Sequence, residues 1–350
     1  MKKNHLFIII LSFLFVQSYS QYFGWKVGLN GIADNREYFN KFIAPQTIFG
    51  SRVFGELGFG LNDYHSLHFG LNYLYEFGSE GDLRAPDIIM YYHGQNKNFD
   101  LYMGAFPRRG LIEMPYCMLT DTLMYYRPNV EGMFFQAKQN WGYQNVWVDW
   151  TSRQTDTKRE TFLIGATGKI MLDRFFYTHN LLMYHYAGPA VPIPGDHIRD
   201  NGGMTAMVGV NLSHAILDSV IVASGFAGSY DRKRNVYDFN FAGGWFSQVT
   251  AIYKGIGLKL TYYQGGKVIS KNEGSDIPVR EGLVFLYGDG FYKSGQYTRL
   301  DMFWLPFQKK RIKAKFQISL HFIPGVVDIS QSFVLYYDLQ GRKPLELSGF

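Results

Sequence analysis

Several groups of side chains in this 350-residue chain have the types and spacing that chemistry requires. A serine hydrolase needs a serine, a histidine and a third polar group to converge. The candidates are Ser213 beside His214, and His179 with His185 on the stretch Phe175–Ala187. No G-x-S-x-G occurs and the histidines are scattered, so they read as lining a wet interior or packing at an interface, and the chain reads as a non-enzyme. For a metal, His65 and His68 are three apart, which puts them on opposite faces of a strand. His179 and His185 share a face but lie about 20 Å apart along an extended chain. Neither pair makes a compact ligand set, and no cofactor is implied. The glycines of GELGFG (Gly55–Gly60) lack the strand–turn–helix context of a phosphate loop and read as relief of bends in a curved sheet.

Two sets of charges are more informative. The first is the segment Pro107–Val130, which carries Arg108, Arg109, Glu113, Asp121 and Arg127 among Leu111, Ile112 and Met114. A solvated loop rarely holds so many apolar residues. Folded into a pore it would be a charged constriction; packed on its neighbours it would be an outer cap, and both readings stand. The second set is Lys259, Arg299, Lys313 and Lys315 against Glu76, Asp100, Asp149, Asp301 and Asp338, with Arg153, Lys158 and Arg159 clustered at one rim. These would form a ladder of ion pairs holding a lumen open. The basic residues near the loop would add a weak anion preference, which near-balanced charge keeps small.

Such sets share an interior only if the chain closes on itself, and its periodicity says that it does. In Ile312–Phe322 (IKAKFQISLHF) the even positions are apolar and the odd ones are Lys313, Lys315, Gln317, Ser319 and His321. Successive strand side chains point to opposite faces, so one face is greasy and the other wet. The same alternation runs through His65–Phe77, where Leu67, Phe69, Leu71, Tyr73, Tyr75 and Phe77 oppose Ser66, His68, Asn72 and Glu76. It recurs in Phe162–Ala166, Met204–Leu212, Ile256–Tyr262, Leu300–Trp304 and Phe333–Leu339.

Composition and turn lengths decide which sheet this is. Aromatics reach 18% and charged residues only 18%, below the roughly 25% of ordinary soluble domains. That balance fits an outer-membrane barrel with aromatic girdles. Short connections fall near Asn62–Tyr64, His93–Asn96, Gln139–Trp141, Ile170–Asp173, Ser213–Ile216, Lys254–Gly255 and Gln308–Arg311. Long ones fall at Pro107–Val130, Gly188–Gly202, Tyr230–Asn240 and Gly265–Tyr292, on the opposite side. The count is about 16 antiparallel strands, with 14 and 18 as alternatives, Tyr22–Asn30 first and Glu281–Tyr287 placed in a loop. A secreted sandwich would also alternate, but this length would split into two domains, and no Pro/Ser-rich linker appears.

The N-terminus MKKNHLFIIILSFLFVQSYSQ has a basic start, an apolar Leu6–Val16 and small Ser18 and Ser20 before Gln21. It reads as a cleaved signal peptide over 1–20, with the barrel as 21–350. Removing Lys2 and Lys3 takes the formal charge from +6 to +4, too little and too dispersed for nucleic acid. The single Cys117 reads as a free thiol.

The stretches Pro107–Gly132 and Gly142–Gly168 resemble porin-like outer-membrane barrels of the Bacteroidota. That resemblance implies fold and location and carries no activity or catalytic residues. The function expected is passive diffusion of small hydrophilic solutes. The partners would be outer-membrane lipid, the barrel-assembly machinery and, as an open point, further copies of the chain. A filled structural or partner-binding barrel, plugged by residues such as Trp147, Phe303 and Met207, is the first alternative, a polymer-export barrel the next and an outer-membrane hydrolase the last.

Overall fold

The computed structural model describes residues 22–79, 85–191, 193, 195–212, 217–269 and 282–344. The leader, Ser213, His214 and Phe350 lie outside the described residues. Sixteen antiparallel strands close into one barrel in up-and-down order. β1 (Tyr22–Glu37) pairs with both β2 (Gln46–Gly60) and β16 (Val326–Pro344), so no sheet edge is left open. The strand count and topology are those read from the alternation.

On β15 (Ile312–Ile323), Phe316, Ile318 and Phe322 are exposed while Gln317, Ser319 and His321 are buried. The greasy face therefore points out of the barrel. An outer belt of Leu71, Val146, Val208 and Leu258 is flanked on the short-turn side by Trp141, Phe175 and Tyr253. On the loop side it is flanked by Phe77, Trp150 and Phe239, and all ten are exposed. Such a wall is stable facing hydrocarbon, with the short turns periplasmic.

Several strands run further than expected: β10 (Arg199–Asn211) and β13 (Ile256–Ile269) extend into the loops expected at Gly188–Gly202 and Gly265–Tyr292, and two other cases have a visible cause. β1 continues past Asn30, the expected end of the first strand, to Glu37, because Asp34 and Arg36 pair with each other (2.7 Å) and Arg36 donates to Thr122 Oγ1 (2.9 Å) inside the barrel. The long loop expected at Tyr230–Asn240 is a three-residue turn between β11 (Ser219–Lys233) and β12 (Tyr237–Tyr253). Asp231 there takes hydrogen bonds from Arg199 (2.8 Å) and Tyr237 (2.6 Å), so its polar residues are rungs of the wall. Asn235 occupies the left-handed turn position at φ +64°.

Among the described residues the interior is partly filled, where a lumen held open by ion pairs was the first expectation and a plugged barrel the alternative. The segment after Pro107, with α1 (Asp121–Tyr126), and the segment from residue 282 to a 3-10 turn at Gly290–Lys293 both fold inward. Cys117, Met118, Leu123 and Phe291 pack against inward-facing Phe134, Trp147, Leu163 and Phe246. Those inward aromatics could not be left wet, and the two segments cover them. The opposite half of the inner wall is polar, with Arg52, Glu56, Asn72, Arg299, Asp301 and Gln317 buried along it. Among the described residues, three cavities lie along that part of the wall.

Candidate functional site

A Ser-x-His pair two residues apart on a strand puts both side chains on one face. On β3 (His65–Glu76), Ser66 and His68 point into the barrel near its periplasmic end. Register with β2 places Gly60 opposite Ser66 and Gly58 opposite His68, which leaves Glu56 diagonal to the imidazole. Ser66 Oγ lies 2.9 Å from His68 Nε2, and His68 Nδ1 lies 2.8 Å from Glu56 Oε1. The Tyr91 hydroxyl donates to the same carboxylate oxygen at 2.8 Å, and its ring is parallel to His68 at 4.4 Å. One nitrogen of the imidazole is thereby turned to an acid and the other to a hydroxyl. That is the order a serine nucleophile needs.

Glycine makes the room. A Cβ on Gly58 would stand 3.1 Å from His68 Cε1, and one on Gly60 would collide with the Tyr22 ring. Tyr22 thus lies across the cross-strand partner of Ser66, with the Arg342 guanidinium 3.5 Å from its ring centre. Ser66 is 4% exposed behind this cover. Glu56, Gly58 and His68 line a cavity of about 510 Å³ at the periplasmic mouth. A second pair, Ser330 Oγ and His321 Nε2 at 3.1 Å, has the Tyr297 hydroxyl rather than a carboxylate at Nδ1, 2.6 Å away.

The charges singled out in Pro107–Val130 do not form a ring. Arg108 and Asp149, both 0% exposed, make a buried pair that fastens the segment to the wall. Arg109 turns the other way, to Asp338 and the face of Tyr336. Asp121 accepts from Tyr116 at 2.7 Å, Arg127 donates to the Thr151 carbonyl at 2.8 Å, and Glu113 is exposed. Of the lumenal set, Glu76 takes the Tyr126 hydroxyl (2.7 Å), and Asp100 pairs with Lys138. Arg299 pairs with Asp301 at 2.6 Å. Lys259 reaches toward Tyr116, Lys315 lies over Phe303, and Lys313 is exposed at the periplasmic rim. Arg153, expected at the rim as a lumen-lining residue, does not line the lumen: its strand ends at Ser152, and it stands exposed in an outer loop. His179 meets Gln144 and His185 meets Asp200, with no serine in either contact.

Burial sets the chemistry of the plug. The Cys117 thiol is pushed far up by desolvation, so it stays protonated. Burial raises Tyr38 to about 12 and holds the Asp289 carboxyl above its ordinary range.

A model of the lipid A 3'-O-deacylase-type family matches residues 19–342. The chain belongs to that family. The family is named for an enzyme activity, and this overturns the expectation of a non-enzyme. As a member of the lipid A 3'-O-deacylase-type family, the chain shares its barrel with porins of solved structure. An anion-selective porin from Comamonas acidovorans superposes with TM-score 0.54 at 10% identity, over 90% of this chain and all of that one. OmpT of Vibrio cholerae, in a trimer form, gives 0.54 at 6%, over 91% and 99%. OccK3 of Pseudomonas aeruginosa gives 0.51 at 10%, over 94% and 99%. At such identities the likeness is one of fold. No curated protein matches the chain.

Sequence reasoning placed Ser66 and His68 on one polar face of the strand without singling them out as a pair. The signal available was the S-x-H spacing. Glu56 needed the register of β2 on β3.

Proposed function

We propose that this outer-membrane barrel hydrolyses acyl esters with Ser66 as nucleophile, and that its substrates are 3'-O-acylated lipids of the kind its family is named for. The chain of contacts Ser66–His68–Glu56 carries the reading. His68 Nε2 takes the Ser66 proton as Oγ attacks the ester carbonyl. Glu56 holds the Nδ1–H tautomer and steadies the imidazolium. The imidazolium then protonates the departing sugar hydroxyl, leaving an acyl-Ser66 that water cleaves with His68 again as base. The ester enters from the periplasmic mouth, where the cavity opens on His68. Purified barrel in detergent micelles should release fatty acid from lipid A. Ser66→Ala should lower the rate by about a thousandfold or more. Release that is unchanged in Ser66→Ala would refute the assignment.

A second reading, diffusion of small hydrophilic solutes, draws on three cavities of about 510, 80 and 490 Å³ along the polar half of the wall. Arg52 and Arg109 line the narrowest. Conductance steps in planar bilayers that grow in Arg109→Ala would support it, and a silent bilayer with both proteins would exclude it.

A further inference from the structure

The cavity at the loop end of the barrel, about 490 Å³, has a lining unlike that of the periplasmic one. Tyr38, Phe42, Tyr116, Tyr126 and Tyr287 give it aromatic walls. Thr122, Gln317, Ser330 and Ser332 give it neutral donors and acceptors. Its charges nearly cancel, with Arg36, Arg127, Lys293 and Arg299 set against Asp34, Asp121 and Asp289. Most are already committed: Arg36 to Asp34 (2.7 Å), Arg299 to Asp301 just behind the lining (2.6 Å), and Asp121 to the Tyr116 hydroxyl (2.7 Å).

We propose that this cavity is a binding site for a neutral oligosaccharide, independent of Ser66. A sugar presents hydroxyls that each donate and accept, and an aliphatic face that lies on aromatic rings; this lining offers both. An ionised ligand would need surplus charge of one sign, which paired side chains do not supply. An acyl chain would leave these polar groups unpaired in apolar surroundings, at a cost they avoid beside hydroxyls. The volume is that of a small-molecule site. The side chains are held by one another and by the infolded segments, so little ordering is required on binding. α1 closes one flank and is tied to the wall by Arg36 donating to Thr122 at 2.9 Å.

Calorimetric titration of the full-length detergent-solubilised barrel with maltotriose, cellotriose and N,N',N''-triacetylchitotriose tests the site. At least one should bind saturably, with a dissociation constant below about 1 mM. Ser332→Tyr, which fills the cavity without breaking an ion pair, should weaken binding at least tenfold. Asp121→Asn should weaken it several-fold. Heat-modifiable migration on gels checks that each variant is folded, and Ser66→Ala should bind like the unaltered chain. The proposal is overturned if none of the three sugars binds, if binding survives both cavity variants, or if trigalacturonate binds more tightly than the neutral sugars.

Discussion

His68 can serve Ser66 only with its proton on Nδ1, and Glu56 at 2.8 Å is the group that keeps it there. Glu56→Gln should therefore leave the fold intact and lower ester turnover about a hundredfold or more, measured as initial rates of fatty-acid release. Tyr22→Ala should raise KM little and speed Ser66 labelling, since that ring covers Gly60 beside the nucleophile. The Arg108–Asp149 pair is fully buried, so Arg108→Ala should cost about 3–5 kcal/mol in denaturant unfolding by stranding the carboxylate. Replacing both partners with Met and Leu should cost far less. Cys117 should resist maleimide in the folded barrel and react once it is unfolded, because the thiol is buried and held protonated. Ser66 and His68 were legible as polar residues on one face of an alternating strand, though not as a pair in contact. Glu56, twelve residues away, was not, because cross-strand register depends on the turn Leu61–Tyr64 and the closure of the whole barrel.

At the scale of the element, β15 shows what alternation can and cannot tell. Its apolar positions Phe316 and Ile318 face outward, and Phe316→Arg should cost about 2–4 kcal/mol of barrel stability at mid-depth, read by urea titration in lipid vesicles. Alternation says nothing of what fills the inside. The apolar content of Pro107–Val130 marked that segment as more than a solvated loop, but not its choice between cap and infolding. The decision lies in partners from distant strands, Phe134, Trp147 and Leu163. The second infolded segment carries Asp289, whose carboxyl burial raises above its ordinary range. The folded state therefore holds that proton to higher pH than the unfolded one, and docking of this segment should tighten as pH falls through the raised value. Protection factors for hydrogen exchange over 283–295, corrected for the intrinsic pH dependence of exchange, should rise as pH is lowered, and Asp289→Asn should remove that rise.

Over the whole molecule, one barrel is divided lengthwise. Inward-facing Phe134, Trp147, Leu163 and Phe246 on one side are covered by the two infolded segments, while Arg52, Glu56, Asn72, Arg299 and Gln317 on the other line cavities. The strand count, direction and lipid face were readable because they repeat every second residue. The asymmetry of the interior was not, since it sums over many strands, each of which alternates in the same way. A barrel so filled keeps rigid walls around Ser66 and leaves the periplasmic mouth as its approach. The most direct test is active-site trapping. The folded barrel is treated with a fluorophosphonate ester and its peptides are mapped by mass spectrometry. The account predicts a single adduct on Ser66 that disappears in His68→Ala. An unmodified Ser66, in a barrel that still releases fatty acid from lipid A, would contradict it.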